Sequence, residues 1–256
     1  MKDLDLEIPA GRIDNTTCVN KFGNTTNADS GITTDIWDRA NVANNQAIWV
    51  APTQARTHTI ASTSANDTSG GTGANTVRIH GLTSWSASGE TVEDVTMNTA
   101  SPPVTSNSFV IIYRMRVLTK GATSTNEGTI TATATTDASV TAQIEPGNGQ
   151  TEMAIMGIPD TQTAYVTCMY GALLAATPNN AQANVTLRSN PEPDVELTNF
   201  NLKFRIGLMS SGSSETRHCF NPYYKLPGPA LIKVQVAANQ NNGDVSGGFD
   251  LIIEDN

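Results

Sequence analysis

The feature that most constrains this chain is its punctuation. From Ala47 onward, short apolar or alternating runs follow one another closely, and each stops at a cluster of turn residues. Ala47–Ala51 ends at Pro52, and Thr57 to Ala61 alternates around His58 and Ile60. Thr76–His80, Glu90–Asn98, Ser108–Thr119, Gly128–Thr135, Val140–Ile144, Thr151–Ile158 and Ala164–Ala175 follow. Ala183–Arg188, Phe200–Met209, Thr216–Leu226, Leu231–Ala237 and Phe249–Ile253 complete the series. About fourteen strands at this spacing, with no amphipathic helix and no alternation of strand with helix, predict an all-β protein built as a jelly-roll-like β-sandwich. Phe109-Val110-Ile111-Ile112-Tyr113 is the most apolar run and is expected to be a central strand. The glycines of Asn66–Asn75 and of Gly147-Asn148-Gly149 do not lead into helices, so they read as turns, the first of them mobile.

Residues 1–45 differ from the body, 46–256. Leu4, Leu6 and Ile8 alternate briefly before Pro9 and Gly11, Asn15–Ser30 is almost wholly polar, and Asp35-Ile36-Trp37-Asp38 sets two apolar side chains in a polar context. Such a segment cannot offset its own ordering entropy. It reads as an extended N-terminal arm whose anchors Leu4, Leu6, Ile8, Ile36 and Trp37 enter grooves on a partner, or else as a disordered tail.

Charge and cysteine content narrow the partners. A net charge of −9 without a basic run argues against nucleic acid. Tyr113-Arg114-Met115-Arg116 is the richest basic stretch, and its spacing puts both arginines on one strand face. No apolar run approaches the length of a membrane span, and Met1–Asp5 has no apolar leader core, so synthesis in the cytosol is expected. Cys18, Cys168 and Cys219 are far apart and odd in number. They are expected to be unpaired, with Cys168 a small core hydrophobe and no zinc bound.

Catalytic signatures are missing from the sequence. There is no G-x-S-x-G and no H-E-x-x-H. His58 and His80 could meet on neighbouring strands, but without a third metal ligand. Glu90, Glu93 and Asp94 cluster, as do Glu192, Asp194 and Glu196; solvated strand edges account for both. The expectation is a protein that is not an enzyme and holds no cofactor or metal.

Several stretches carry a resemblance. These are Gly147 to Ile155 continuing through Ile158-Pro159 to Val166, Asp35 to Asp38, Arg217-His218-Cys219-Phe220, and Asp244 to Ile253. Together they resemble structural virion proteins of tailed bacteriophages, many of them marine. That resemblance implies a jelly-roll module on the virion, most simply a capsid decoration or cement protein that binds the major capsid protein or other virion proteins, often as a homotrimer. The alternative it leaves is a tail, head-fibre or spike component that contacts a host glycan receptor, for which Trp85 is the candidate contact. A lectin or carbohydrate-active enzyme is the third class.

Overall fold

The computed structural model describes residues 4–41, 46–123, 125–175, 181–210 and 214–256. Among these, fifteen strands dominate. Helix is confined to α1 (Leu4–Glu7) and a 3-10 turn, η1 (Asp38–Asn41). The chain divides into two compact units. The first comprises residues 1–36, 85–89 and 154–256; the second comprises 37–84 and 90–153.

The first unit holds β1 (Thr16–Ala28), β2 (Thr33–Asp35), β9 (Ile155–Ile158), β10 (Gln162–Ala175) and β11 (Gln182–Asn190). It continues with β12 (Asn201–Met209), β13 (Glu215–Pro227), β14 (Ala230–Ala238) and β15 (Gly243–Asp255). One sheet runs β1-β15-β10-β13 and the other β2-β14-β11-β12, with β9 added beside β14. With β9 set aside, the remaining strands counted in chain order give 1-8-3-6 in one sheet and 2-7-4-5 in the other. That is the strand order of a jelly roll, and all its pairings are antiparallel. The sheets face one another, with β15 over β14 and β10 over β11 and β12. Val166, Met169, Val185, Leu187, Ile232, Val234, Val245 and Phe249 are fully buried between them. Glycine sets the sheet spacing at one point. Gly171 and Gly247 are register partners, and a Cβ on Gly247 would lie 2.9 Å from Ile36 Cδ1. The facing isoleucine therefore presses onto bare backbone.

The second unit carries β3 (His58–Ser62), β7 (Ile130–Ala134) and β8 (Val140–Ile144) in one sheet. The other sheet is β5 (Thr91–Thr96), β4 (Ala74–Leu82) and β6 (Ile111–Lys120) in the order β5-β4-β6. Ile60, Val77, Ile79, Phe109, Ile111, Met115, Ile130 and Ala132 fill its core. β6, which takes up the apolar run expected to be central, lies at the edge of its sheet, and Ala47–Ala51 is not a strand. That short run instead delivers Trp49 into the core, where the indole N–H donates to Thr141 O at 2.8 Å.

The expected arm is corrected by these pairings. β1 is hydrogen-bonded along β15 from Thr16↔Glu254 to Ala28↔Gly243, and β2 pairs with β14. The polar run Asn15–Ser30 orders because backbone partners at the opposite end of the chain supply what its side chains cannot. Ile36 and Trp37 are fully buried within the chain, so they are core residues rather than anchors for a partner. Residues 1–3 and 42–45 of the segment, and the side chain of Leu4, lie outside the described residues.

The expected mobile glycine turn is also corrected. Fully buried Asp67 accepts hydrogen bonds from Ser62 Oγ and from the backbone N–H groups of Ala74, Glu127 and Gly128. One carboxylate thus ties two loops together. Burial alone would raise its pKa; these four donors outweigh that and lower it.

A buried ion pair crosses the β2–β14 edge of the sandwich. Lys233 Nζ lies 2.9 Å from Asp35 Oδ2, with both side chains nearly inaccessible, and sits 4.2 Å over the Phe200 ring. Removing one partner strands a buried charge. Lys233→Met should therefore cost about 3–5 kcal/mol in urea unfolding, whereas Asp35→Leu combined with Lys233→Met should recover most of that loss. A silent Lys233→Met would show that the pair contributes little.

Candidate functional site

A concave surface lies on the solvent face of the four-stranded sheet, and a β-bulge makes it. The β10–β13 register runs Thr163↔Pro227 to Val166↔Tyr224 and resumes at Cys168↔Cys219. Phe220–Tyr223 therefore stands against Thr167 alone. The extra residues loop away from the sheet, a common way for a strand edge to re-aim side chains. The resulting groove has a volume of about 590 Å³, within the range of ligand clefts. Cys18, Asn20, Asp250 and Ile252 lie on one side of it, and Arg217 and half-exposed Tyr223 on the other.

The polar groups of this groove hold one another. Asn20 Nδ2 donates to Asp250 Oδ1 and, at 3.0 Å, to Tyr170 Oη. Arg217 Nη2 donates to Asp250 Oδ2 at 3.2 Å and lies 3.3 Å from Cys168 Sγ. Partial burial, with the Asp250 carboxylate nearby, raises the Tyr170 pKa. The lining contains no histidine. It offers donors, acceptors and a phenol ring to a polar group that enters it.

The cysteine expectation is corrected here. Cys168 and Cys219 form a disulfide between directly opposed residues of β10 and β13, and Cys18 stands outside any disulfide on the same groove. Nothing in the spacing foretold this pairing, because it depends on the register across the bulge. The bridge closes a sequence separation of 51 residues, for which the chain-entropy model gives about 4 kcal/mol. A thiol reagent should therefore titrate one thiol per folded chain before reduction and three after; three before reduction would refute the bridge.

The other residues singled out in the sequence are dispersed. Leu6, within α1, is 58% exposed, whereas Ile8 just after it is buried. Trp85 is partly exposed in the turn between β4 and β5, where its carbonyl accepts the Asp160 N–H at 2.8 Å. It does not line the groove. His58 and His80 do not meet, because they lie on different sheets. Among the described residues no group of three His, Cys, Asp or Glu is placed to hold a metal. Glu93 accepts the Ser106 and Asn107 backbone N–H groups and the Asn107 side-chain amide. Asp94 makes a paired contact with Arg78 at 2.6 and 2.7 Å. Glu90 accepts Tyr113 Oη at 2.7 Å and faces His80 Nδ1 at 2.9 Å. Burial acts to raise the Glu90 pKa, and the bonds from His80 and Tyr113 bring it below the ordinary value.

Two buried groups of the second unit are tuned by desolvation instead. Asp38 is pushed up to about 8 by burial, with Glu152 and Glu145 adding repulsion, while the Glu152 N–H bonds its Oδ2 at 3.0 Å. His58 is pulled down to about 4 by burial and stays neutral. Their effects on stability oppose each other. Between about pH 4 and 8 the folded chain holds a proton on Asp38 that the unfolded chain has lost, so this term weakens the fold as pH rises. Between about pH 4 and 6.5 the unfolded chain binds a proton that His58 refuses, so that term strengthens the fold as pH rises. Above pH 6.5 Asp38 acts alone, and stability should fall by up to about 1.4 kcal/mol per pH unit until pH 8. Asp38→Asn should flatten this decline in denaturant titrations at pH 6.5, 7.2 and 8; an unchanged slope would assign it elsewhere.

No family model matches the chain, and no curated protein matches it. Among solved structures, a chain from the structure of the infectious bursal disease virus Gt strain aligns with 93% of this chain and 70% of its own length. The aligned residues are 9% identical and the TM-score is 0.22, a likeness too slight to carry an argument.

Proposed function

We propose that this protein is a structural component of a virus particle and acts on the outer surface of the capsid as a decoration or cement protein. The observation that carries the reading is the jelly-roll strand order, 1-8-3-6 against 2-7-4-5, an architecture shared by viral capsid and lectin domains. The sequence resemblance to virion proteins of tailed bacteriophages points the same way. Rigid antiparallel sheets provide a body that can span neighbouring capsid subunits. Binding only the assembled shell would stabilise it by mass action. The partners in this reading are the major capsid protein and further copies of the chain, closed as a homotrimer, and its site of action is the virion. The work is mechanical rather than catalytic. The carboxylates that could have served as a catalytic pair are engaged in structural contacts: Glu93 with a loop backbone and Asp94 with Arg78.

The alternative is a tail, head-fibre or spike component that binds a glycan receptor. It draws on the lectin use of the same fold, on the groove beside Tyr223 and on partly exposed Trp85.

Quantitative mass spectrometry of purified particles separates the two. A cement protein should be present in hundreds of copies and decorate the shell in cryo-electron microscopy maps. A handful of copies at the tail would favour the alternative, and absence from particles would overturn both.

A further inference from the structure

We propose that the open edge of the sandwich, between β12 and β13, receives the Glu192–Glu196 turn of a second copy of this chain. The edge comes first. Among the described residues, β12 and β13 are the outermost strands of their respective sheets, and each has one strand partner. Between them a cluster of rings is only half covered. Phe204 stacks on His218 with ring centres 4.1 Å apart, Phe220 packs edge-on against both, and all three remain partly exposed. Leu202, 48% exposed, extends the strip, and Lys203 lies 5.6 Å over the Tyr224 ring. A half-covered aromatic strip at a sheet margin marks an interaction surface.

Charge selects the partner. The two strands carry Lys203, Arg205 and Lys225, besides Arg217 bonded to Asp250, against a single carboxylate of their own, Glu215, in a chain of net charge −9. The strip therefore attracts what the rest of the molecule displays. The mode of contact follows from the backbone. Pro222 and Pro227 remove two amide donors from β13, and the bulge breaks its line, so an added strand would pair poorly. A compact knob fits better.

The chain carries such a knob on the connection between β11 and β12. Val195 is 78% exposed, the highest value among the large hydrophobic residues described, and Glu192, Asp194 and Glu196 surround it in sequence. The turn is held in shape beforehand. Glu192 O accepts from the N–H groups of Val195 and Glu196, and fully buried Asn190 binds Glu192 N–H and Glu196 O. A rigid apolar tip collared by carboxylates needs little further ordering on binding. Its exposure shows that it is not seated on its own chain. Because knob and edge are different patches, the contact is head-to-tail, which gives a ring where the rotation between copies closes and a filament where it does not. This inference concerns self-association, and it stands whether the protein sits on the shell or on the tail.

Sedimentation velocity and native mass spectrometry of the full chain test it. The wild type should form a closed oligomer, a trimer if the ring is that of the virion reading. Val195→Asp should weaken assembly at least about tenfold, as should Arg205→Glu with Lys225→Glu, all at exposed positions where circular dichroism should stay unchanged. A chain with Glu192→Lys and Asp194→Lys, mixed with the Arg205→Glu/Lys225→Glu chain, should regain contact between unlike chains, read as a heterodimer or an even-numbered ring, because a three-membered ring would keep one like-charged contact. A wild type that stays monomeric at about 100 µM, where even a weak contact would register, overturns the proposal. So does assembly indifferent to all these changes. A wild type that binds a mixed-sequence oligonucleotide through Arg205 and Lys225 without self-associating overturns it too, in favour of nucleic acid.

Discussion

The first unit depends on one long-range pairing. β15, the last strand of the chain, is hydrogen-bonded to β1 on one side and β10 on the other, with continuous register on both flanks apart from short bulges. Without it β1 has no sheet, and β10 keeps only β13. The jelly roll cannot close until the C-terminal residues are available, and the entropy of joining such distant segments must be met before their contacts reward it. The same closure explains why a polar N-terminal stretch is ordered. β1 contributes backbone hydrogen bonds and few buried side chains, and its burial alternates only weakly.

Charges enclosed by the fold serve different physical purposes. Asp35 and Lys233 neutralise one another across β2 and β14, which fixes how β2 is laid down on an otherwise apolar strand. Asp67 works as a ligand for loop backbone, a role that needs its negative charge. Asp38 and His58 are isolated by burial and adopt their neutral forms, so the second unit carries two opposed proton linkages.

Surfaces with functional potential gather where the first unit departs from regularity. The bulge in β13 makes the groove on one face of its sheet, and the unmatched ends of β12 and β13 leave the aromatic strip at the margin. Edge strands are where natural sheets guard against uncontrolled pairing. Pro222, Pro227 and Lys225 on β13 suppress strand addition while leaving side chains available for a selective contact.

Much of the all-β body was legible in the sequence, because alternation and turn chemistry are local. Ile130-Thr131-Ala132-Thr133-Ala134 reads as a half-buried strand, and it is one, with the threonines partly exposed and the others buried. Long-range features were not legible. The polar run Asn15–Ser30 looked like an arm because hydrophobicity does not report a backbone partner at the far end of the chain. Ile36 and Trp37 looked like anchors because their neighbours in sequence are polar, whereas their neighbours in space are core. Cys168 and Cys219 carried no spacing signal, and the glycine loop looked loose until Asp67 was seen to tie it to Glu127 and Gly128. The sequence by itself determined the strands, their turns and the lack of catalytic motifs, since each follows from period and residue type within a few positions. Tertiary structure alone decided the sheet order, the disulfide, the groove and the open edge, because each is a product of register between segments that only folding brings together.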